Sequence, residues 1–196
     1  MLGPVLNMAS SIRRRLIVDR DRDPAKAVLL AGMGRSGTTW ISSVINHRNE
    51  FRYIFEPFCS ERVEQAKMFR LHQYLRPEES DPEKLHSAEA IFSGSFRNPW
   101  TDRFNRGTFF AARLVKTIRA NLMLRWLKTH LPELPIILLL RHPLAVANSW
   151  LELGWSYRRD LQCCLSQDSL VADFLKPFEA RMSTVEGDVE TVVLLW

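Results

Sequence analysis

Cysteine is scarce in this chain: three residues in 196, two of them adjacent (Cys163, Cys164). An odd count with a vicinal pair is no disulfide framework of the kind that staples small secreted domains. No C-x-x-C, H-x-x-x-H or EF-hand spacing occurs, so no metal is expected. Long apolar runs are missing too. The one near the middle, Leu134 to Leu140, contains Pro135 and is far too short to span a bilayer, so no membrane span is expected. The N-terminus carries no usable signal peptide: Met1 to Ser10 is only mildly apolar, and Arg13, Arg14 and Arg15 follow it rather than precede it. A cytoplasmic location is the expectation. There is no long Lys/Arg block either. The basic residues are scattered, so the net charge of +5 points to an anionic ligand without singling out nucleic acid, and no nucleic-acid partner is expected.

What is present is an ordinary globular composition, 46% hydrophobic and 25% charged, long enough for one domain with a substantial core. Residues 1–26 form a polar, arginine-rich lead-in, with a short helix expected around Ile12 to Val18. Ala27 to Ala31 is a continuous apolar run, the pattern of a strand covered on both faces. Phe51 to Phe55 predicts a second strand, which Pro57 ends with Glu56 left at its carboxyl end. Ser60 to Leu75 has helical periodicity closed by Arg76-Pro77. Residues 77–107 dissolve into Pro, Ser, Asp, Asn and aromatics, and are read as a substrate-side insertion with a short helix at Lys84 to Ile91. Arg113 to Ile118 is a third strand, and Asn121 caps a helix to Leu131. Pro135 to Leu140 is the strongest strand signal, Pro143 opens a helix that ends before Gly154, and Ser166 to Phe178 is helical. Glu190 to Leu195 reads as a last strand.

Strands alternating with helices predict a three-layer α/β/α fold with a central parallel sheet. Ligands in such sheets bind beyond the carboxyl ends of the strands. The stretch after the first strand is the centre of that argument. Gly32-Met33-Gly34-Arg35-Ser36-Gly37-Thr38-Thr39-Trp40 is a strand–turn–helix junction that aims backbone N–H groups and a helix dipole at one anion. Gly32, Gly37 and Thr39 fit G-x-x-x-x-G-K-[ST], but Thr38 stands at the lysine position, and the only cation inside the loop is Arg35. Such a loop cradles phosphate without serving an ordinary triphosphate. A second anion site is read in Arg141-His142-Pro143 with Ser149 about two helical turns on: Arg141 can fork onto a phosphate and the serine adds a donor. Glu56, Lys116 and Arg119 lie at or just past other strand ends.

Together the two motifs resemble the sulfotransferases that use 3′-phosphoadenosine-5′-phosphosulfate. Arg35-Ser36-Gly37-Thr38-Thr39-Trp40 matches their 5′-phosphosulfate loop, and Arg141, Pro143 and Ser149 match their 3′-phosphate site. The resemblance implies a P-loop fold of sulfotransferase type and this donor as co-substrate, with adenosine 3′,5′-bisphosphate as product and no metal. It implies that Gly34, Arg35, Ser36, Gly37, Thr38, Thr39, Trp40, Arg141 and Ser149 hold the donor. Phe55-Glu56-Pro57 and the arginine form of the loop look more like carbohydrate-type and bacterial members, in several of which a glutamate here is the base. Glu56, Arg35 and Lys116 are accordingly the expected catalytic residues, and the acceptor a hydroxyl- or amine-bearing small molecule or carbohydrate. His142 is read as structural, with a 3′-phosphate contact as the alternative; Trp100, Trp150 and Trp155 could form an aromatic wall, although core packing fits any one of them. Rival readings are a P-loop kinase of nucleotides or small molecules and a truncated, non-catalytic nucleotide-binding module. The family usually continues past the last strand with a loop that closes over the nucleotide, so a chain stopping at Trp196 is expected to lack that C-terminal part.

Overall fold

The computed structural model describes residues 17–154 and 157–196. Its centre is a four-stranded parallel sheet of order β3-β5-β2-β6, made of β2 (Ala27–Gly32), β3 (Phe51–Phe55), β5 (Ala112–Thr117) and β6 (Ile136–Leu139). A two-stranded parallel pair lies outside it, β1 (Val18–Asp19) with β4 (Phe109–Phe110). β2 lies in the middle of the main sheet and is apolar throughout, as a strand buried on both sides should be; β5 beside it is buried as well, with Leu114 and Val115 in the core and Arg113, Lys116 and Thr117 also inaccessible. Leu29, Ala31 and Val115 face one packed layer, with Ile91, Phe92, Trp126 and Leu127 in the same cluster. Leu30 and Leu114, which alternation turns to the other face, are equally inaccessible. Both faces are therefore covered, and the α/β/α arrangement follows.

The helices are α1 (Thr38–Ile45), α2 (Pro82–Phe92), α3 (Leu124–His130), α4 (Pro143–Leu151), α5 (Arg158–Leu165), α6 (Asp168–Leu170), α7 (Glu179–Thr184) and α8 (Asp188–Leu195). α2 begins as its sequence directs: Asp81 caps it by accepting from Lys84 N at 3.0 Å, and Pro82 occupies the first turn. It covers the predicted Lys84 to Ile91 helix. Its fully buried Ile91 and Phe92 sit in the main core, so the 77–107 segment contributes to the domain's packing.

Several sequence expectations are corrected. Ser60 to Leu75 is not a helix. Only Glu64–Ala66 makes a 3-10 turn, because Val63, Ala66, Phe69 and Leu75 reach the core through successive tight turns instead of one helical face. Glu190 to Leu195 is helical, within α8, and pairs with no strand. A short apolar run suits either state; here Thr191 and Val192 are buried, Val192 in a cluster with Val146, Ala147 and Trp150 of α4. Asn121 does not cap α3 but sits in a 3-10 turn, Asn121–Met123, ahead of it. The helix expected at Ile12 to Val18 lies mostly outside the described residues, and Val18 itself is in β1. Among the described residues no helix is long and apolar enough to cross a membrane.

At the amino ends of the strands two buried arginines lie side by side, Arg52 of β3 in register with Arg113 of β5. Two adjacent cations without water need full compensation. Arg52 forks onto Asp102 (2.8 and 2.8 Å) and also donates to Asp19 at 2.6 Å and to the carbonyls of Gly94 and Phe96. Arg113 donates to the carbonyls of Phe92, Asp21 and Asp23. Gly94 is required where it stands: its φ is +70°, and a Cβ there would lie 2.7 Å from both Arg113 Cδ and Asp19 Oδ2.

Candidate active site

The carboxyl ends of all four parallel strands open on one cleft. The turn after β2 leads into α1 through Gly37, whose φ of +100° suits glycine. Arg35 also has a left-handed backbone, φ 67°. Ser36 braces the turn from inside, its N–H and hydroxyl both donating to Met33 O at 3.1 and 2.5 Å. Close packing explains Gly32, where a Cβ would stand 2.7 Å from Leu139 O of the neighbouring strand. The first helical bond beyond the turn runs from Ile41 N to Gly37 O. The N–H groups of Thr38, Thr39 and Trp40 precede it and so form the donor cluster of a helix start. Thr38 is buried, and Trp40 is 69% exposed.

The second motif meets the first directly. α4 starts at Pro143, and His142 caps it, its Nδ1 accepting from Leu144 N at 3.3 Å. Arg141 donates to Arg35 O at 2.9 Å. Two turns along α4, Ser149 Oγ accepts from Arg35 Nε at 3.0 Å. Trp150 Nε1 donates to Gly34 O at 2.8 Å from a buried position, and its ring stacks on Tyr157 at 4.6 Å. The two loops are thus tied through three hydrogen bonds before any ligand arrives.

The third element is Glu56. Register pairs Phe55 with Lys116, which sets the next residue, Glu56, at the end of β5. Its backbone N–H donates to Lys116 O at 2.8 Å, and its φ is 48°. The carboxylate is almost wholly buried. Its Oε1 accepts from Lys116 Nζ at 2.6 Å, and Oε2 accepts from Arg119 Nη1 at 2.9 Å and Ile118 N at 3.2 Å. A buried carboxylate held by two cations is fully compensated. The sequence placed Lys116 and Arg119 near a strand end; that both converge on Glu56 is set by sheet register between distant segments.

These groups line a cleft of about 580 Å³, with Gly34, Arg35, Thr38, Thr39, Trp40, Glu56, Lys116, Arg119 and Arg141 in its wall. Four cations face one carboxylate, so the cleft suits an anion. Ser149 is not in that wall, and Ser36 points inward; both shape the loop. Of the three tryptophans considered for an aromatic wall, Trp150 is a packing residue, Trp155 lies outside the described residues, and Trp100 lines the cleft beside Phe55, as Trp40 does from the loop. Arg103 stacks over Trp100 at 3.6 Å and over Phe55 at 4.3 Å. Desolvation pulls the Arg103 pKa below its ordinary value. Burial pushes the nearby Tyr53 hydroxyl up to about 12. The Arg103 stack was not anticipated, because nothing in local spacing links residue 55 to residues 100 and 103.

A model of the sulfotransferase family matches residues 27–186, a span that contains both loops, Glu56, Lys116 and α4. No curated protein and no solved structure gives a match.

Proposed function

The chain belongs to the sulfotransferase family, and from that premise we propose that its cleft carries a sulfuryl group from 3′-phosphoadenosine-5′-phosphosulfate to a hydroxyl or amine acceptor. The observation that carries this reading is the junction of Arg35, Arg141 and Ser149, which couples a lysine-free phosphate loop to a second anion site. A nucleotide phosphorylated at both ends of its ribose needs two such sites. A triphosphate would need the missing lysine.

The residues divide the work as follows. Gly34 to Trp40 hold the 5′ end through the loop and the first-turn N–H groups of α1. Arg141, with Ser149 behind Arg35, holds the 3′-phosphate. The donor supplies an activated sulfur whose leaving group is a phosphate. Glu56 takes the proton from the acceptor as its oxygen or nitrogen forms the bond to sulfur and the sulfur–oxygen bond to phosphate breaks. Lys116 and Arg35 neutralise the charge that builds on the departing phosphate, and Arg119 holds Glu56 in place. For Glu56 to accept a proton, Lys116 shifts from the carboxylate toward the leaving oxygen, which links the two steps. The loop variant and Phe55-Glu56-Pro57 favour the carbohydrate-type and bacterial branch, and the whole chain is read as one catalytic domain.

Calorimetry with adenosine 3′,5′-bisphosphate, followed by transfer of radiolabelled sulfate from the donor to an acceptor panel, tests this. Magnesium-dependent ATP binding in place of bisphosphate binding would favour a kinase. Bisphosphate binding with no transfer to any acceptor would favour a binding module.

A further inference from the structure

A second chamber adjoins the cleft. Its volume is about 350 Å³, and it shares Gly34, Ile118 and Arg119 with the first. Gly34 belongs to the phosphate loop, and Arg119 touches Glu56, so whatever occupies the chamber borders the reacting groups.

Its far wall is ionic. Arg159 pairs with Glu61 at 3.1 Å, and His72 Nε2 faces Asp160 Oδ2 at 3.7 Å. His72 holds a left-handed backbone, φ 53°, which a non-glycine residue keeps only when its surroundings enforce it. The enforcing group is Gln167, a buried side chain that donates to His72 O at 2.9 Å and accepts from Tyr74 N at 2.8 Å. Asp160 accepts no hydrogen bond among the described residues, although its side chain is only 20% exposed. Two carboxylates and two guanidiniums thus border a small chamber, and one of the carboxylates is free to accept.

We propose that this chamber is the acceptor site and that it takes a hydroxyl-rich, sugar-sized molecule, with Asp160, His72 and Glu61 bonding its hydroxyls. The proposal rests on the donor reading above. An apolar, planar acceptor would strip water from the largely buried Asp160 and return no hydrogen bond, a cost that opposes its binding. A polyol replaces that water bond for bond, since carboxylates accept from its hydroxyls and guanidiniums donate to them.

The test uses the full chain, labelled donor, and two sets of probes: hexoses, hexosamines and their methyl glycosides on one side, and 2-naphthol on the other. Transfer to members of the sugar set and not to 2-naphthol is expected. For the best sugar, Asp160→Asn and His72→Gln are each expected to raise KM about tenfold with kcat little changed. Bisphosphate affinity by calorimetry is expected to stay at the unaltered protein's value. Transfer to 2-naphthol alone, no transfer to either set, or an unchanged sugar KM in both variants would overturn the proposal while bisphosphate binding stands. Absence of bisphosphate binding in the unaltered protein would overturn the donor reading first, and the acceptor assignment with it.

Discussion

Arg35 Nε lies 3.0 Å from Ser149 Oγ across a sequence separation of 114 residues. The contact joins the loop after β2 to α4, so the arginine is aimed before any ligand arrives. Preorganisation of this kind lowers the cost of ordering a long cationic side chain on binding. Ser149→Ala is expected to weaken adenosine 3′,5′-bisphosphate binding about tenfold, and Arg35→Ala by more, because a hydrogen bond to a charged group contributes about 1.5–3 kcal/mol. Titration calorimetry measures both; equal affinity in all three proteins would remove the junction from the donor site.

Glu56→Gln separates binding from chemistry. The amide still fills the space between Lys116 and Arg119 but cannot take a proton. Bisphosphate affinity should hold within a few-fold while turnover falls by about 10²–10⁴, the usual contribution of a general base. Turnover close to that of the unaltered protein would assign proton removal elsewhere.

The opposite end of the sheet governs stability. Arg52 is fully buried and satisfies Asp102, Asp19 and two carbonyls at once. Arg52→Met takes from the buried Asp102 its cationic partner, while Asp19 keeps Arg97 and Arg113, and is expected to cost about 3–5 kcal/mol, read as a shift in the urea midpoint. An unshifted midpoint would mean that water replaces the arginine.

Alkaline pH should destabilise the fold. Burial raises the Cys164 thiol from 9.0 to about 12 and the Tyr53 hydroxyl from 10.0 to about 12. Between those limits the unfolded chain releases protons that the folded one keeps, so the balance moves toward unfolding. Stability is full below about pH 9 and declines as pH rises toward about 12. Urea midpoints across that range should fall, and Cys164→Ala should make the fall shallower. A slope identical to the parent's would remove Cys164 from the effect.

What the sequence disclosed was mostly local. β2 and β6 announce themselves as apolar runs, β3 and β5 as short stretches rich in aromatic or β-branched residues around single charges, and the loop after β2 carries its own glycine pattern. Arg141, Pro143 and Ser149 lie on one turn and helix, so spacing alone suggested a second anion site. What stayed hidden depends on partners far along the chain. Glu56 meets Lys116 and Arg119 through sheet register, and His72 meets Asp160 across 88 positions of numbering (160 − 72). The segment from Ser60 to Leu75 misled because its apolar residues recur at helical intervals while tertiary packing takes them one turn at a time. Glu190 to Leu195 misled because β-branched residues pack equally well on the helix face that α4 offers.

Arg35 at φ 67° and Glu56 at φ 48° both hold a backbone that glycine would adopt with less strain. Their side chains are the ones assigned to the donor and to the acceptor proton. Strain of this kind costs on the order of 1–3 kcal/mol at each residue. Thermal stability and ligand binding therefore pull in opposite directions at Arg35: a library screened for heat resistance alone should drift toward glycine there, whereas at Glu56 glycine would strand Lys116 and Arg119 without their carboxylate and be selected against.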